Sequence, residues 1–168
     1  ENAATNDTLQ TASPLYSETT SISDGCARGS AGGNQVVICE ANVLTLCDGD
    51  VDYYSLEVSG GSRVDIELSD YSGDLDLAVF GPFSSIENAQ TDALLAEDAT
   101  NGPTKVVSAT ARQDSFFIAR VLRDQGERTG YAINVVVDTP SNACVEDTYD
   151  AVQLNDTFAQ ASWATLNP

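Results

Sequence analysis

The sequence contains no histidine and no methionine, and Lys105 is its single lysine. Without histidine, Ser-His-Asp and Cys-His catalysis are excluded, as are the usual zinc sites and the commonest switch near neutral pH. Positive charge is scarce: 7 Lys/Arg stand against 26 Asp/Glu in 168 residues, a net charge of −19. Such a field repels phosphate backbones and argues against nucleic acid as a partner. Long apolar runs are lacking as well. Runs such as Val36-Val37-Ile38-Cys39 and Val135-Val136-Val137 fall far short of the ~18 residues needed to span a bilayer. What is present is a hydrophobic content of 42%, enough to bury the core of one domain.

The chain opens on Glu1 with neither Met nor a basic-then-apolar leader, which predicts a mature or excised product of export. Its four cysteines, Cys26, Cys39, Cys47 and Cys144, contain no C-x-x-C spacing, and without histidine a zinc site would need all four thiolates. The spacing favours disulfides, hence an oxidising compartment, extracellular or at the cell surface. Of the three possible pairings, Cys26 with Cys39 and Cys47 with Cys144 are favoured. Cys144 has the alternative of bonding to a neighbouring subunit.

From about residue 36 short strands follow one another with turn residues between them. Val64, Ile66 and Leu68 alternate with Arg63, Asp65 and Glu67, the period of a strand with one buried face. Tyr54, Leu56 and Val58 alternate likewise, and Ser59-Gly60-Gly61-Ser62 predicts a hairpin to the next strand. Leu75, Leu77 and Val79 alternate with Asp74, Asp76 and Ala78, and further strands are expected at Lys105–Ala109, Ser115–Leu122 and Tyr131–Val137. Helical signals are confined to a turn near Asp7–Ala12 and one around Ile86–Leu95. The expected fold is all-β, an antiparallel β-sandwich over residues 1–140 with a polar, disulfide-stapled N-terminal segment. Thr, Ser, Asn and Ala dominate the start, and Gly25–Gly33 is rich in small residues, a composition that by itself suits disorder.

One internal echo stands out. Asn6-Asp7-Thr8-Leu9-Gln10-Thr11-Ala12-Ser13 aligns without gaps with Asn155-Asp156-Thr157-Phe158-Ala159-Gln160-Ala161-Ser162, identical at five of eight positions. Residues 141–168 therefore read as the start of a second copy and as the segment that contacts a following module or subunit. The contact residues expected there are Cys144, Asn155, Asp156, Phe158 and Trp163.

An ordered set of motifs resembles the bacterial pre-peptidase C-terminal domain family: Asn6-Asp7-Thr8, Gly49-Asp50-Val51-Asp52-Tyr53-Tyr54, Gly60-Gly61, Gly73-Asp74-Leu75-Asp76-Leu77, Phe116-Phe117-Ile118 and Tyr131-Ala132-Ile133-Asn134-Val135. Ala4-Thr5 stands where that family has Glu-Pro, and the Cys26–Cys39 insertion lies outside its core pattern. The resemblance implies a jelly-roll-like sandwich that is not itself an enzyme. It also implies calcium between the first motif and the Asp-rich turn, at Asn6, Asp7, Asp50 and Asp52.

Asp48, Asp50 and Asp52 place carboxylates at alternate positions, a grouping that suits a hard, oxygen-seeking cation. The spacing is not that of an EF-hand, because Tyr53 and Ser59 stand where its Gly and Glu would be. The Asp74/Asp76 pair invites a glycosidase reading, but acidic residues are too abundant for a pair to be informative, and a structural role is expected instead, either stabilising a turn or pairing with Arg63 or Arg120. No catalytic residues are assigned. The functional expectation is a non-catalytic secreted module for extracellular assembly, as a fibre or surface array, or for adhesion. Its partners would be copies of itself or like modules, or an extracellular protein or polysaccharide, and its only cofactor calcium. The rival is a substrate-targeting accessory domain of a secreted peptidase or polysaccharide hydrolase.

Overall fold

The computed structural model describes residues 6–17, 26–31, 34–47, 50–69, 71–125 and 129–140. Its strands are β1 (Ser13–Ser17), β2 (Cys26–Ala31), β3 (Asn34–Leu46), β4 (Val51–Val58), β5 (Arg63–Ser69), β6 (Asp74–Phe83), β7 (Leu94–Asp98), β8 (Lys105–Thr110), β9 (Ser115–Gln125) and β10 (Thr129–Thr139). They form two five-stranded sheets, ordered β1-β4-β9-β6-β7 and β2-β3-β10-β5-β8. The chain is thus an all-β sandwich, as its alternating pattern requires. The inward residues of both sheets, among them Leu56, Ile66, Leu68, Leu75, Leu77, Phe117, Val121, Ile133 and Val135, make one continuous core.

Strand pairing departs from expectation in three places. First, Ser59–Ser62 is a turn, closed by Ser62 N donating to Ser59 O at 3.2 Å, but it is not a hairpin. It carries the chain from one sheet to the other, since β4 pairs with β1 and β9 while β5 pairs with β10 and β8. Alternation says which face of a strand is buried and is silent about its neighbour. Second, β1 runs parallel to β4, with Ser13 opposite Tyr54 and Ser17 opposite Glu57. The preceding segment already meets the start of β4, where Tyr53 N donates to Asn6 O at 2.9 Å, so the chain sets out along β4 in the same direction. Pro14 is tolerated because β1 is an edge strand.

Third, residues 26–31 of the small-residue insertion form a strand. They pair antiparallel with β3 and place Cys26 directly opposite Cys39, and the two form the expected disulfide. Reduction, or Cys26→Ser with Cys39→Ser, is expected to lower stability by about 2 kcal/mol through the entropy of the freed loop. This is the low end of the usual range, because the register of the two strands already limits the unlinked hairpin. Urea denaturation of the double variant beside the parent checks it.

The first sheet is covered on its outer face too. Ala78 was expected to face outward; it is buried, together with Leu9, Ala12, Phe80, Phe83, Ala89 and Ile118. Two 3-10 turns supply the cover, Leu9–Thr11 and Ile86–Asn88. They occupy the two places where helical signals were read, although Leu94–Asp98 beyond the second is strand rather than helix. Thr8 and Thr11 close the first turn as a capping box, each side-chain oxygen accepting from the other's backbone N–H at 3.2 Å. Gln10 Nε2 fastens it to Ala89 O at 2.9 Å.

Candidate functional site

The densest polar constellation lies where β4 begins. Asp52 is the first inward-facing residue of β4 and is only 8% exposed. Its Oδ2 accepts from the Tyr131 hydroxyl, on β10 of the opposite sheet, and that hydroxyl lies 2.5 Å from the hydroxyl of Tyr54. A buried Asp–Tyr–Tyr chain therefore joins the two sheets. Burial raises the Asp52 carboxyl above its ordinary value; Tyr131 opposes this by donating to the ionised form, while the nearby charges of Asp50 and Asp7 raise it further. Burial also pushes both tyrosine hydroxyls up, with Asp52 adding to the effect, so both remain protonated donors at any physiological pH.

Four of the five residues expected to hold calcium are brought together here. Asn6 and Asp7 arrive on the N-terminal segment, and Asn6 Nδ2 donates to Tyr53 O at 3.4 Å. Asp50 closes the turn before β4: its N–H donates to Cys47 O at 3.2 Å, and its carboxylate accepts from Val51 N at 3.0 Å and Cys47 N at 3.5 Å. Asp48 lies outside the described residues. The donors are all oxygen, the type calcium takes. Among the described residues, however, no group of three or more His, Cys, Asp or Glu is arranged to hold a metal ion. The hydrogen bonds give the reason. Asp50 is turned onto its own loop, and Asp52 is turned inward to Tyr131.

The tyrosines are the partners that sequence reasoning missed. The signal was available: Tyr54 and Tyr131 both occupy inward positions of alternating strands, and a buried tyrosine hydroxyl requires a hydrogen-bond partner.

Elsewhere, the charged residues settle into local pairs. Arg63 pairs with Asp65 at 2.8 Å, and Arg120 pairs with Glu97 at 2.8 Å while lying over the Phe80 ring. The expected pairing of Asp74 with one of these arginines is replaced by Lys105, whose Nζ lies 3.9 Å from Asp74 Oδ1. Lys105 is fully buried and also donates to Thr100 O. Its strand, β8, is an edge, and the loop before it folds over the ammonium. Cys47 is exposed and has no disulfide partner among the described residues. Cys144, Asn155, Asp156, Phe158 and Trp163 lie outside the described residues, as does the whole of 141–168.

These features define a β-sandwich whose polar interior ties its own sheets together, the build of an accessory or structural module. Residues 50–121 match the family model of the Bacterial pre-peptidase C-terminal domain. The match runs from the Asp50 turn into β9 and includes Asp52, Gly60-Gly61 and Gly73–Leu77. No curated protein matches the sequence.

Solved structures similar to this chain include a periplasmic inhibitor of g-type lysozyme from Aeromonas hydrophila, at 13% identity and a TM-score of 0.47, covering 74% of this chain and 96% of that one. The pre-peptidase C-terminal domain of a Bacillus anthracis collagenase is similar at 18% identity and a TM-score of 0.44, covering 58% and 86%. A Bacillus endospore appendage protein is similar at 17% identity and a TM-score of 0.36, covering 73% and 100%.

Proposed function

We propose that this chain is an exported, non-catalytic module that assembles with copies of itself or with like modules at the cell surface. The observation that carries the reading is the Asp52–Tyr131–Tyr54 chain: the one buried acid–hydroxyl constellation among the described groups is spent on joining the sheets. The family match supports an accessory or structural role. The Cys26–Cys39 disulfide supports export to an oxidising compartment. Among the described residues no helix is long and apolar enough to cross a membrane.

Within this reading residues 141–168 make the contact to the neighbour, through Asn155, Asp156, Phe158 and Trp163, with Cys144 available for a bond to Cys47 or to a second subunit. Deleting 141–168 is expected to leave a folded monomer that no longer assembles. Sedimentation velocity with and without reductant measures this, and assembly unchanged by the deletion refutes the reading.

Calcium belongs to the same proposal. Asn6, Asp7, Asp50 and Asp52 would hold the ion once Asp50 and Asp52 turn out of their present hydrogen bonds, with Asp48 completing the carboxylate set. The ion's charge would offset the repulsion from Asp50 and Asp7 that adds to burial in raising Asp52. Thermal unfolding is expected to shift upward by several degrees in calcium relative to chelator. An identical midpoint in both removes the ion from the proposal.

The family match also favours a second reading, an accessory domain that directs a secreted peptidase or polysaccharide hydrolase to its substrate. Leu94, Leu95 and Val106, exposed on the edge strands β7 and β8, would be its contact surface. Retention on protein or polysaccharide resins that is lost on Leu94→Asp would support that reading over assembly.

A further inference from the structure

We propose that the groove between the two 3-10 turns, on the outer side of the first sheet, binds a stretch of uncharged polysaccharide with the Tyr53 ring as its platform. Neither assembly through 141–168 nor the β7–β8 contact uses this groove, so its occupant goes beyond both readings.

Tyr53 stands on the outward face of β4, opposite Arg120 of β9. Its ring packs against the outer cluster of Leu9, Phe80 and Ile118 but is only partly buried. The side left open borders a groove of about 420 Å³, open to solvent and walled by residues 7–10 and 89–91. The N-terminal segment thus supplies one wall and does not fill the space. The walls are held before any ligand arrives. Gln10 Nε2 straps one to the other at Ala89 O, 2.9 Å away, and the Thr8–Thr11 capping box fixes the first turn. A ligand is spared the cost of ordering them.

The lining selects the ligand. Its volume falls within the range of small-molecule clefts, but those are mostly apolar and this one is polar. Asp7 brings a carboxylate, Gln90 an amide and Thr91 a hydroxyl, and none of these side chains hydrogen-bonds another described residue. The Tyr53 hydroxyl is equally uncommitted among the described residues. Together they both donate and accept, which is what hydroxyl groups require of a site. An apolar ligand would strand them. No Lys or Arg lines the groove, so nothing there offsets a phosphate or carboxylate, and the net charge of −19 repels one. A neutral sugar meets both demands: its hydroxyls pair with Asp7, Gln90 and Thr91, and its C–H face lies on the apolar body of the tyrosine. Because the groove is open rather than enclosed, a longer chain can run through it.

Affinity electrophoresis suits a chain of charge −19, which migrates readily in a native gel. The gels hold hydroxyethylcellulose, laminarin, glucomannan or the acidic polygalacturonate, all with chelator so that calcium does not occupy Asp7. Each protein's mobility in a plain gel is its reference. The full chain is expected to be retarded by at least one neutral polymer and not by polygalacturonate. Tyr53→Leu keeps apolar packing but removes the ring, and Gln90→Ala changes an exposed residue. Each is expected to weaken the retarding affinity by about fivefold or more. Thermal unfolding checks both variants, and should Tyr53→Leu fail to fold, Gln90→Ala with Thr91→Val takes its place. No retardation by any neutral polymer, retardation by polygalacturonate alone, or retardation that the variants retain overturns the proposal. Leu94→Asp should leave the retardation intact. Loss there, without loss in Tyr53→Leu, would place binding on the β7–β8 edge and overturn the groove while keeping the targeting reading.

Discussion

Tyr131→Phe is expected to destabilise the fold by about 3 kcal/mol near neutral pH, the scale of a lost hydrogen bond to a buried charge. The hydroxyl donates to Asp52 Oδ2 and also meets Tyr54, so its removal strands two buried groups in the core. It should also act through ionisation. Burial holds the folded Asp52 carboxyl above its ordinary value of 3.8, and Tyr131 is the largest influence restraining that rise.

A carboxyl raised on folding binds its proton more tightly in the folded state. Its ionisation therefore subtracts stability as pH climbs from the unfolded value to the folded one, fully so above the folded value and not at all below the unfolded one. In Tyr131→Phe the folded value rises further, so the loss should be largest at neutral pH and shrink in acid. Asp52→Asn provides the converse. The amide keeps an oxygen for Tyr131 while removing the buried charge and its repulsion with Asp50 and Asp7. Its stability relative to the parent should grow as pH rises above 3.8 and then level off. Urea denaturation of the three proteins across the acid range measures both trends, and a Tyr131→Phe loss that does not vary with pH would sink the ionisation argument.

Gly81→Ala is expected to cost about 4 kcal/mol, combining backbone strain with overpacking. Gly81 has a φ of 134°, where a side chain is strained whatever space surrounds it. A β-carbon there would stand 2.7 Å from Phe117 Cδ1 and 2.9 Å from Phe116 O. Phe117 is fully buried in the main core, so its ring cannot turn aside into solvent. Gly102→Ala is the control: its nearest neighbour would be Thr104 O at 3.5 Å, an ordinary contact, and the change should stay within about 0.5 kcal/mol. Chemical denaturation of the two variants should separate them by several kcal/mol, and equal midpoints would contradict the packing argument.

The legible and illegible parts of this fold divide along physical lines. Val64, Ile66 and Leu68 announced the buried face of β5, and all three lie in the core. Tyr131, Ile133 and Val135 did the same for β10. Ala78 was misread because its own strand alternates, whereas its burial comes from Leu9 and Ala12, about seventy residues away. β2 was illegible because Ala27-Arg28-Gly29-Ser30 has little intrinsic preference for extended structure. It becomes a strand because the edge of β3 offers it unpaired backbone groups and Cys39 offers a bond.

At the candidate site, Asn6, Asp7, Asp50 and Asp52 could be grouped through the family resemblance, and the structure gathers them. Their hydrogen bonds could not be read in advance, because the decisive partner of Asp52 is 79 residues distant in the chain.

By itself the sequence determined that this is a β-sandwich, since period-two alternation is a local property that each strand displays alone. It also determined the compositional limits and the candidates for cross-linking. The tertiary structure decided which strands are neighbours, that the Gly60-Gly61 turn crosses between sheets, and that the single lysine is buried. It decided too that Asp52 is committed to Tyr131. These outcomes depend on which backbone edges and polar atoms meet across the core, and such meetings are fixed by the packing of the whole chain rather than by any stretch of it.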